Sequence, residues 1–361
     1  MATWRRMIGS AASAVDRAVV AAMHARGARD RARAKGLGHQ ERLEALSAIA
    51  GSYGDDALYT DEGSFFPRPA SAIDVTLKRV REGVWDAAWP STSIPYLAAV
   101  SERYLSRIEN RTARARLYLK NEPKEATKRP ALIAIHGYMG GHWLLEEAQW
   151  PIPWMLRRGL DVALPILPQH ALRGGARKGA PPFPSADPRM TNEGFRQAVA
   201  DIVGLAMFLR DRGAPHVGVI GMSLGGYTSA LLATVTDTLD FVMPMIPLAS
   251  VADFAREQGQ LGTGNEVAEQ HAALERANWV VSPLARPLRI PKERAVVVAA
   301  EHDKITPVAH AARISDHFGC ELITMPGGHL LQIGRTEAFR ALARMLERAE
   351  IIAPRPSSST R

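Results

Sequence analysis

The run that most restricts this chain is Val219-Ile220-Gly221-Met222-Ser223-Leu224-Gly225-Gly226, an apolar strand that breaks into a turn with one serine between glycines. A strand that passes abruptly into a helix leaves little room at the turn. Glycine at 221 and 225 admits close backbone approach, while Ser223 takes a strained conformation with its hydroxyl exposed. The helix expected over Leu224 to Thr234 is rich in Ala, Ser and Leu, which suits packing beside a sheet and turns a helix N-terminus toward the serine oxygen. A G-x-S-x-G match alone is weak in 361 residues, so the surrounding elements must carry the reading.

Those elements repeat one pattern. Ala131–Ile135, Asp161–Leu167, Val217–Ile220, Leu239–Leu248, Ala295–Ala300 and Leu322–Met325 read as apolar strands. Helical stretches over Leu144–Arg158, from Thr191 or Asn192 to Arg210, Leu224–Thr234, Val308–Phe318 and Phe339–Ile352 alternate with them. Continuously apolar strands are buried on both faces, and this alternation predicts an α/β fold with a mostly parallel sheet and helices on both sides. Ile73–Val80 and Ala113–Leu119 alternate apolar and polar residues as half-exposed leading strands do, with Trp85, Trp89 and Tyr96 between them.

The expected organisation is a basic helical extension over residues 1–71, one α/β domain over 72–352 and a disordered Ser/Pro-rich tail over 353–361. Within the domain, residues 250–288 are polar and helical with breaks at Gly259, Gly262 and Gly264, the character of a lid over a site. The Gly/Pro/Arg-rich loop up to Arg189 is too long to be a plain connection and reads as a binding element.

Apolar residues make up 46% of the chain and charged residues 23%, the balance of a soluble globular protein. A single cysteine, Cys320, excludes a disulfide framework and a cysteine metal cluster, and points to a reducing compartment or to no need of staples; the expected location is cytoplasmic. The net charge of +8 comes largely from scattered arginines, so no nucleic-acid partner is expected. Its one concentration is the N-terminus, where Ile8, Ala12, Val15, Val19 and Met23 fall at helical spacing among arginines. Such a helix packs on its own domain, solvates a terminus, or makes peripheral membrane contact through residues 1–34. Asp16 and Arg17 interrupt the apolar run after Ile8, so no secretory signal is expected, and no run has the apolar length of a membrane span.

A serine hydroxyl is a poor nucleophile at neutral pH and needs a base to take its proton and an acid to orient that base. In a parallel sheet these follow at later strand ends in the order Ser, Asp or Glu, His. After Val296-Val297-Val298-Ala299-Ala300 come Glu301-His302-Asp303, and after Leu322-Ile323-Thr324-Met325 come Pro326-Gly327-Gly328-His329. Ser223, Asp303 and His329 are therefore the candidate catalytic residues. Glu301 is the rival acid, with Asp240 and Asp253 as more distant ones. A tetrahedral oxyanion also needs backbone donors, worth about 2.7 to 4 kcal/mol each. Leu224 supplies one candidate amide, and Tyr138, with Met139 second, another from the glycine-rich run His136-Gly137-Tyr138-Met139-Gly140-Gly141.

The four motifs His-Gly-Tyr-Met-Gly-Gly, Gly-Met-Ser-Leu-Gly-Gly, Asp303-x-Ile-x-Pro and Gly-Gly-His329 together resemble the α/β-hydrolase superfamily over about residues 110–350. Leu167-Pro168-Gln169-His170-Ala171-Leu172-Arg173 with the Ser-Leu-Gly-Gly-Tyr elbow further resembles the branch of α/β-hydrolase domain-containing protein 18. The resemblance implies hydrolysis of a carboxylic ester or related acyl bond through an acyl-serine, with a small-molecule or lipid ester as substrate and no cofactor. An acyltransferase on the same triad is one alternative, and a non-catalytic membrane-tethering protein of the same fold is the other. His170 and Arg173 either bind a polar or anionic part of the substrate or anchor their own loop. Trp143, Trp150 and Trp154, at helical spacing, read as core packing.

Overall fold

The computed structural model describes residues 12–21, 37–61, 63–68, 73–123, 125–176 and 179–354. Of the segment read as a basic amphipathic helix, only residues 12–21 are described, and they are helical (α1). The tail expected at 353–361 lies outside the described residues beyond Pro354.

Nine strands form one sheet in the order β1-β2-β3-β5-β4-β6-β7-β8-β9. β1 (Thr76–Arg81), β2 (Val84–Pro90) and β3 (Thr112–Tyr118) are antiparallel, and β3 meets β5 (Asp161–Pro165) antiparallel as well. From β5 onward every neighbour is parallel: β4 (Ala131–Ile135), β6 (Val217–Met222), β7 (Phe241–Met245), β8 (Val296–Ala300) and β9 (Glu321–Met325). β2 was not anticipated from sequence. Its centre, Asp86-Ala87-Ala88, has poor strand propensity, and the strand exists because Gly83, at φ +68°, closes a two-residue hairpin with β1. β1 is an edge strand whose exposed Lys78, Arg79 and Arg81 discourage pairing with another chain.

β4 through β8 are buried along their whole length. Their side chains alternate between two cores: in β4, Ile133 and Ile135 join one cluster and Leu132 and Ala134 the other. The first core lies under α7 (Pro188–Asp211), α8 (Leu224–Val235) and α11 (Val308–Phe318) and also takes in α3 (Ala57–Thr60) through Leu58. The second lies under α5 (Trp143–Gln149), α6 (Ile152–Arg157) and α12 (Arg335–Arg348). The two sets of helices cover opposite faces of the sheet.

Three helices differ from the sequence expectation. The one expected over 144–158 is two, because Pro151 has no N–H to donate and disfavours helix at Trp150. α7 begins at Pro188, with the Asp187 carboxylate accepting from the Arg189 amide. Thr191 does not cap it and instead bonds Ser185 on both its amide and its carbonyl. α12 starts at Arg335, where Gly334 at φ +89° makes the turn, and ends before Ile351 and Ile352, which are buried past its end. α4 (Ala98–Leu105) packs on α7 through Val100, Tyr104 and Met190.

Residues 250–288 contain α9 (Val251–Glu257) and α10 (Glu266–Asn278). Their apolar side is covered by α2 (His39–Gly51), Leu46 packing with Ala252, Ala255, Leu261 and Leu274. No helix among the described residues is long and apolar enough to cross a membrane.

Candidate active site

The elbow is assembled by exclusion of side chains. Ser223 has φ +55° and ψ −113°, a left-handed conformation that costs a non-glycine residue about 1–3 kcal/mol. It is held by its amide, which donates to Met245 O at 3.0 Å on β7, and by its carbonyl, which accepts from the Tyr227 amide at 2.9 Å. A Cβ at 221 would lie 2.1 Å from Gly225 O, and one at 225 would lie 2.2 Å from Ile135 O. Only glycine lets α8 start this close to β4 and β6.

His329 comes to this serine from the turn after β9. Its Nε2 is 3.0 Å from Ser223 Oγ, and its Nδ1 is 2.8 Å from Asp303 Oδ2. Asp303 is buried on the turn after β8; its Oδ1 accepts from the amides of Ile305 at 2.8 Å and Thr306 at 2.7 Å. Thr306 Oγ1, 3.0 Å from Asp303 Oδ2, completes the surroundings of the carboxylate and is 3.0 Å from Ile246 O. The rival acids are elsewhere. Glu301 is exposed beside Thr324, Asp240 pairs with Arg210, and Asp253 is engaged by His271, Arg256 and Arg313.

The loop after β4 runs against Ser223, since a Cβ on Gly137 would meet Ser223 Cβ at 3.5 Å. Tyr138 therefore follows directly on the residue that touches the elbow, and Met139 takes a left-handed φ of +69°. Leu224 is the first residue of α8, where a backbone amide has no acceptor within its own helix. Two braces fix the loop. Glu146 is buried; it accepts from the Gly141 amide at 2.8 Å and from Trp150 Nε1 at 3.1 Å, and burial raises its carboxyl pKa above the ordinary value. His136 Nδ1 donates to Gly137 O at 2.8 Å while Nε2 accepts from the Leu167 amide at 3.0 Å, which fixes a neutral imidazole tying β4 to β5.

His170 and Arg173, expected as substrate contacts or loop anchors, are both wholly buried. Arg173 donates from its two Nη atoms to Ile166 O and Asn110 O and pairs with buried Asp201 at 2.8 Å, so its charge and its Nη donors serve the loop. His170 donates from Nδ1 to Pro168 O and stacks edge-on with Tyr138 and Phe183. The Pro-rich loop comes round the same place: Tyr138 Oη donates to Pro181 O at 3.1 Å. Trp150 is buried beside Glu146, and Trp143 and Trp154 are half-buried against the second core.

Burial holds the His136 imidazole down to a pKa of about 4 and, with neighbouring His136, that of His170 to about 3, against an ordinary 6.5. Folded-state values below the unfolded one mean that the unfolded chain binds protons first, so stability falls as pH drops below about 6.5. Urea unfolding at pH 7 and pH 5 should show His170→Leu losing less stability over that interval than the parent; an equal loss would contradict the neutral assignment.

Thr306, Glu146 and His136 were not singled out as individual site residues from sequence. For Glu146 the available signal was an acid four residues before Trp150 in a helix just past the glycine loop, on one helical face with it. Among the described residues, no three His, Cys, Asp or Glu side chains gather where they could hold a metal ion. A groove of about 950 Å³ among Lys128, Arg129, Arg157, Arg158 and Arg340 lies at the other end of the sheet, where β4 begins, and is separate from Ser223.

No family model matches the chain. It is similar to two uncharacterized proteins of Mycobacterium tuberculosis, from strains CDC 1551 / Oshkosh and ATCC 25618 / H37Rv. Each is 28% identical over 289 residues, which cover 77% of this chain and 68% of the relative. Acetyl xylan esterase from Paenibacillus sp. R4 superposes with a TM-score of 0.52 at 15% identity, covering 85% of this chain and 92% of that one. Acetyl xylan esterase 1 from Thermoanaerobacterium sp. JW/SL YS485 gives a TM-score of 0.52 at 17% identity, covering 86% and 99%. With the mostly parallel nine-stranded sheet and the helices on both faces, these likenesses give the chain the α/β-hydrolase fold.

Proposed function

We propose that this protein is a serine hydrolase that cleaves carboxylic esters through an acyl-serine intermediate. The observation that carries the reading is the continuous hydrogen-bonded series from Ser223 Oγ through His329 to Asp303, with distances of 3.0 and 2.8 Å. Ser223 Oγ attacks the ester carbonyl as His329 Nε2 takes its proton, and Asp303 holds Nδ1–H and balances the imidazolium that forms. The amides of Leu224 and Tyr138 receive the oxyanion. His329 then returns the proton to the leaving alcohol, and a water activated by the same nitrogen releases the acid. The likeness of Leu167–Arg173 to the domain-containing protein 18 branch belongs to this reading and assigns no substrate.

The substrate class follows from the rim. Tyr138, Met139, Leu172, Leu330 and Leu331 are exposed on the loops that bear or adjoin the oxyanion loop and His329. Apolar side chains there favour an ester with an apolar acyl part, at about 0.8 kcal/mol per methylene buried. A serine-reactive phosphonate should add one label per chain by intact mass, and none to Ser223→Ala. A series of nitrophenyl esters should then give kcat/KM rising from acetyl to butyryl. An unlabelled parent would overturn the hydrolase; a fall with chain length would overturn the apolar acyl site.

A further inference from the structure

The segment ahead of the sheet domain reaches the turns that carry the acid and the base. In α1 the buried face is Ala12, Ser13 and Asp16, whereas Val15, expected on the apolar face, is 38% exposed. The Asp16 carboxylate is 0% exposed. Its Oδ2 accepts from the His329 amide at 2.7 Å and the Lys304 amide at 3.3 Å, and its Oδ1 accepts from the Leu330 amide at 3.1 Å. Ser13 Oγ donates to His302 O at 3.3 Å. A Cβ on Gly328 would lie 2.7 Å from Asp16 Oδ2 and 3.1 Å from Ala12 Cβ, so the turn carries glycine where the helix comes against it.

One carboxylate thus joins the turn after β8 to the turn after β9. His329 sits on Gly327-Gly328, a pair that offers no side chain to hold the backbone, while its ring must meet Ser223 and Asp303 at once. Three amides converging on the two oxygens of one buried carboxylate, that of His329 itself buried and those of Lys304 and Leu330 part-buried, give the turn a fixed place. We infer that Asp16 is a positioning residue for the catalytic histidine, and that the N-terminal segment is a working part of the active site. This inference rests on the serine-hydrolase reading above.

The test compares full-length Asp16→Asn and Asp16→Ala with the parent, with Arg17→Ala, on the exposed side of α1, as the control. Phosphonate titration counts competent sites, so a misfolded fraction is removed from the rates. Per labelled site, kcat on a nitrophenyl ester and the rate of labelling should both fall about ten- to a hundredfold, the scale of a small misplacement of a catalytic group. KM should stay within twofold, and Arg17→Ala should match the parent. Hydrogen exchange at the His329 and Leu330 amides should quicken in both Asp16 variants. Per-site kcat within twofold of the parent, or unchanged exchange at those amides, overturns the inference. A parent that takes no label fails the hydrolase reading instead, and the exchange comparison still decides whether Asp16 holds the turn.

Discussion

Replacing Ser223 by alanine is expected to lower kcat on a chromogenic ester about a millionfold, the scale found when a triad nucleophile is removed. The effect is expected to be large because, among the described residues, the hydrogen bond of His329 Nε2 is the one at 3.0 Å to this oxygen, while Nδ1 is 2.8 Å from Asp303 Oδ2, so the proposed relay has no other hydroxyl to activate. The residual rate, roughly 10³–10⁴ over water, belongs to the oxyanion donors and to binding. Stability should change little. The side chain lost is half-buried, and the strained φ of +55° is imposed by Met245 O and Tyr227 N through the backbone, which alanine keeps. Steady-state kinetics with thermal unfolding in parallel checks both halves. A variant that keeps a hundredth of the parent activity would move the nucleophile elsewhere.

What could be read from the sequence is what local chemistry dictates. Gly221 and Gly225, flanking Ser223, announce a strand-to-helix turn because a Cβ at either would lie 2.1 to 2.2 Å from a carbonyl oxygen. The apolar runs of β4 through β8 announce burial on both faces. The order of Asp303 and His329 after two such strands follows from the same sheet. The contacts that were not legible join segments far apart in the chain. Asp16 and His329 are 313 residues apart, and Asp16 looked from sequence only like a break in an apolar stretch. His136 and Leu167 follow the ends of β4 and β5, neighbouring strands whose adjacency depends on the sheet order. Arg173, a plausible anion ligand by residue type, is claimed by Asp201, 28 residues on, and no local pattern marks that pairing. Residue identity therefore told which chemistry was available, and tertiary neighbours decided which groups are free to perform it.

Asp303→Asn tests that distinction at its sharpest, because the substitution keeps size and shape while it replaces one acceptor oxygen by a donor NH₂ and removes the charge. Asp303 Oδ1 accepts from two backbone amides, Ile305 and Thr306, so the asparagine carbonyl must take that position or leave two buried donors unpaired. The NH₂ group is then forced to the Oδ2 place, 2.8 Å from His329 Nδ1. A donor there requires Nδ1 to accept, which moves the imidazole proton to Nε2 and turns that nitrogen from base into donor toward Ser223. The expected result is a kcat about 10⁴-fold lower with KM nearly unchanged, since nothing that touches bound ester has moved. Asp303→Ala, which removes the carboxylate without imposing a tautomer, should lose stability as well, through the two orphaned amides. A kcat for Asp303→Asn within tenfold of the parent would show that His329 does not depend on this carboxylate for its tautomer, and that the acid of the relay is another residue.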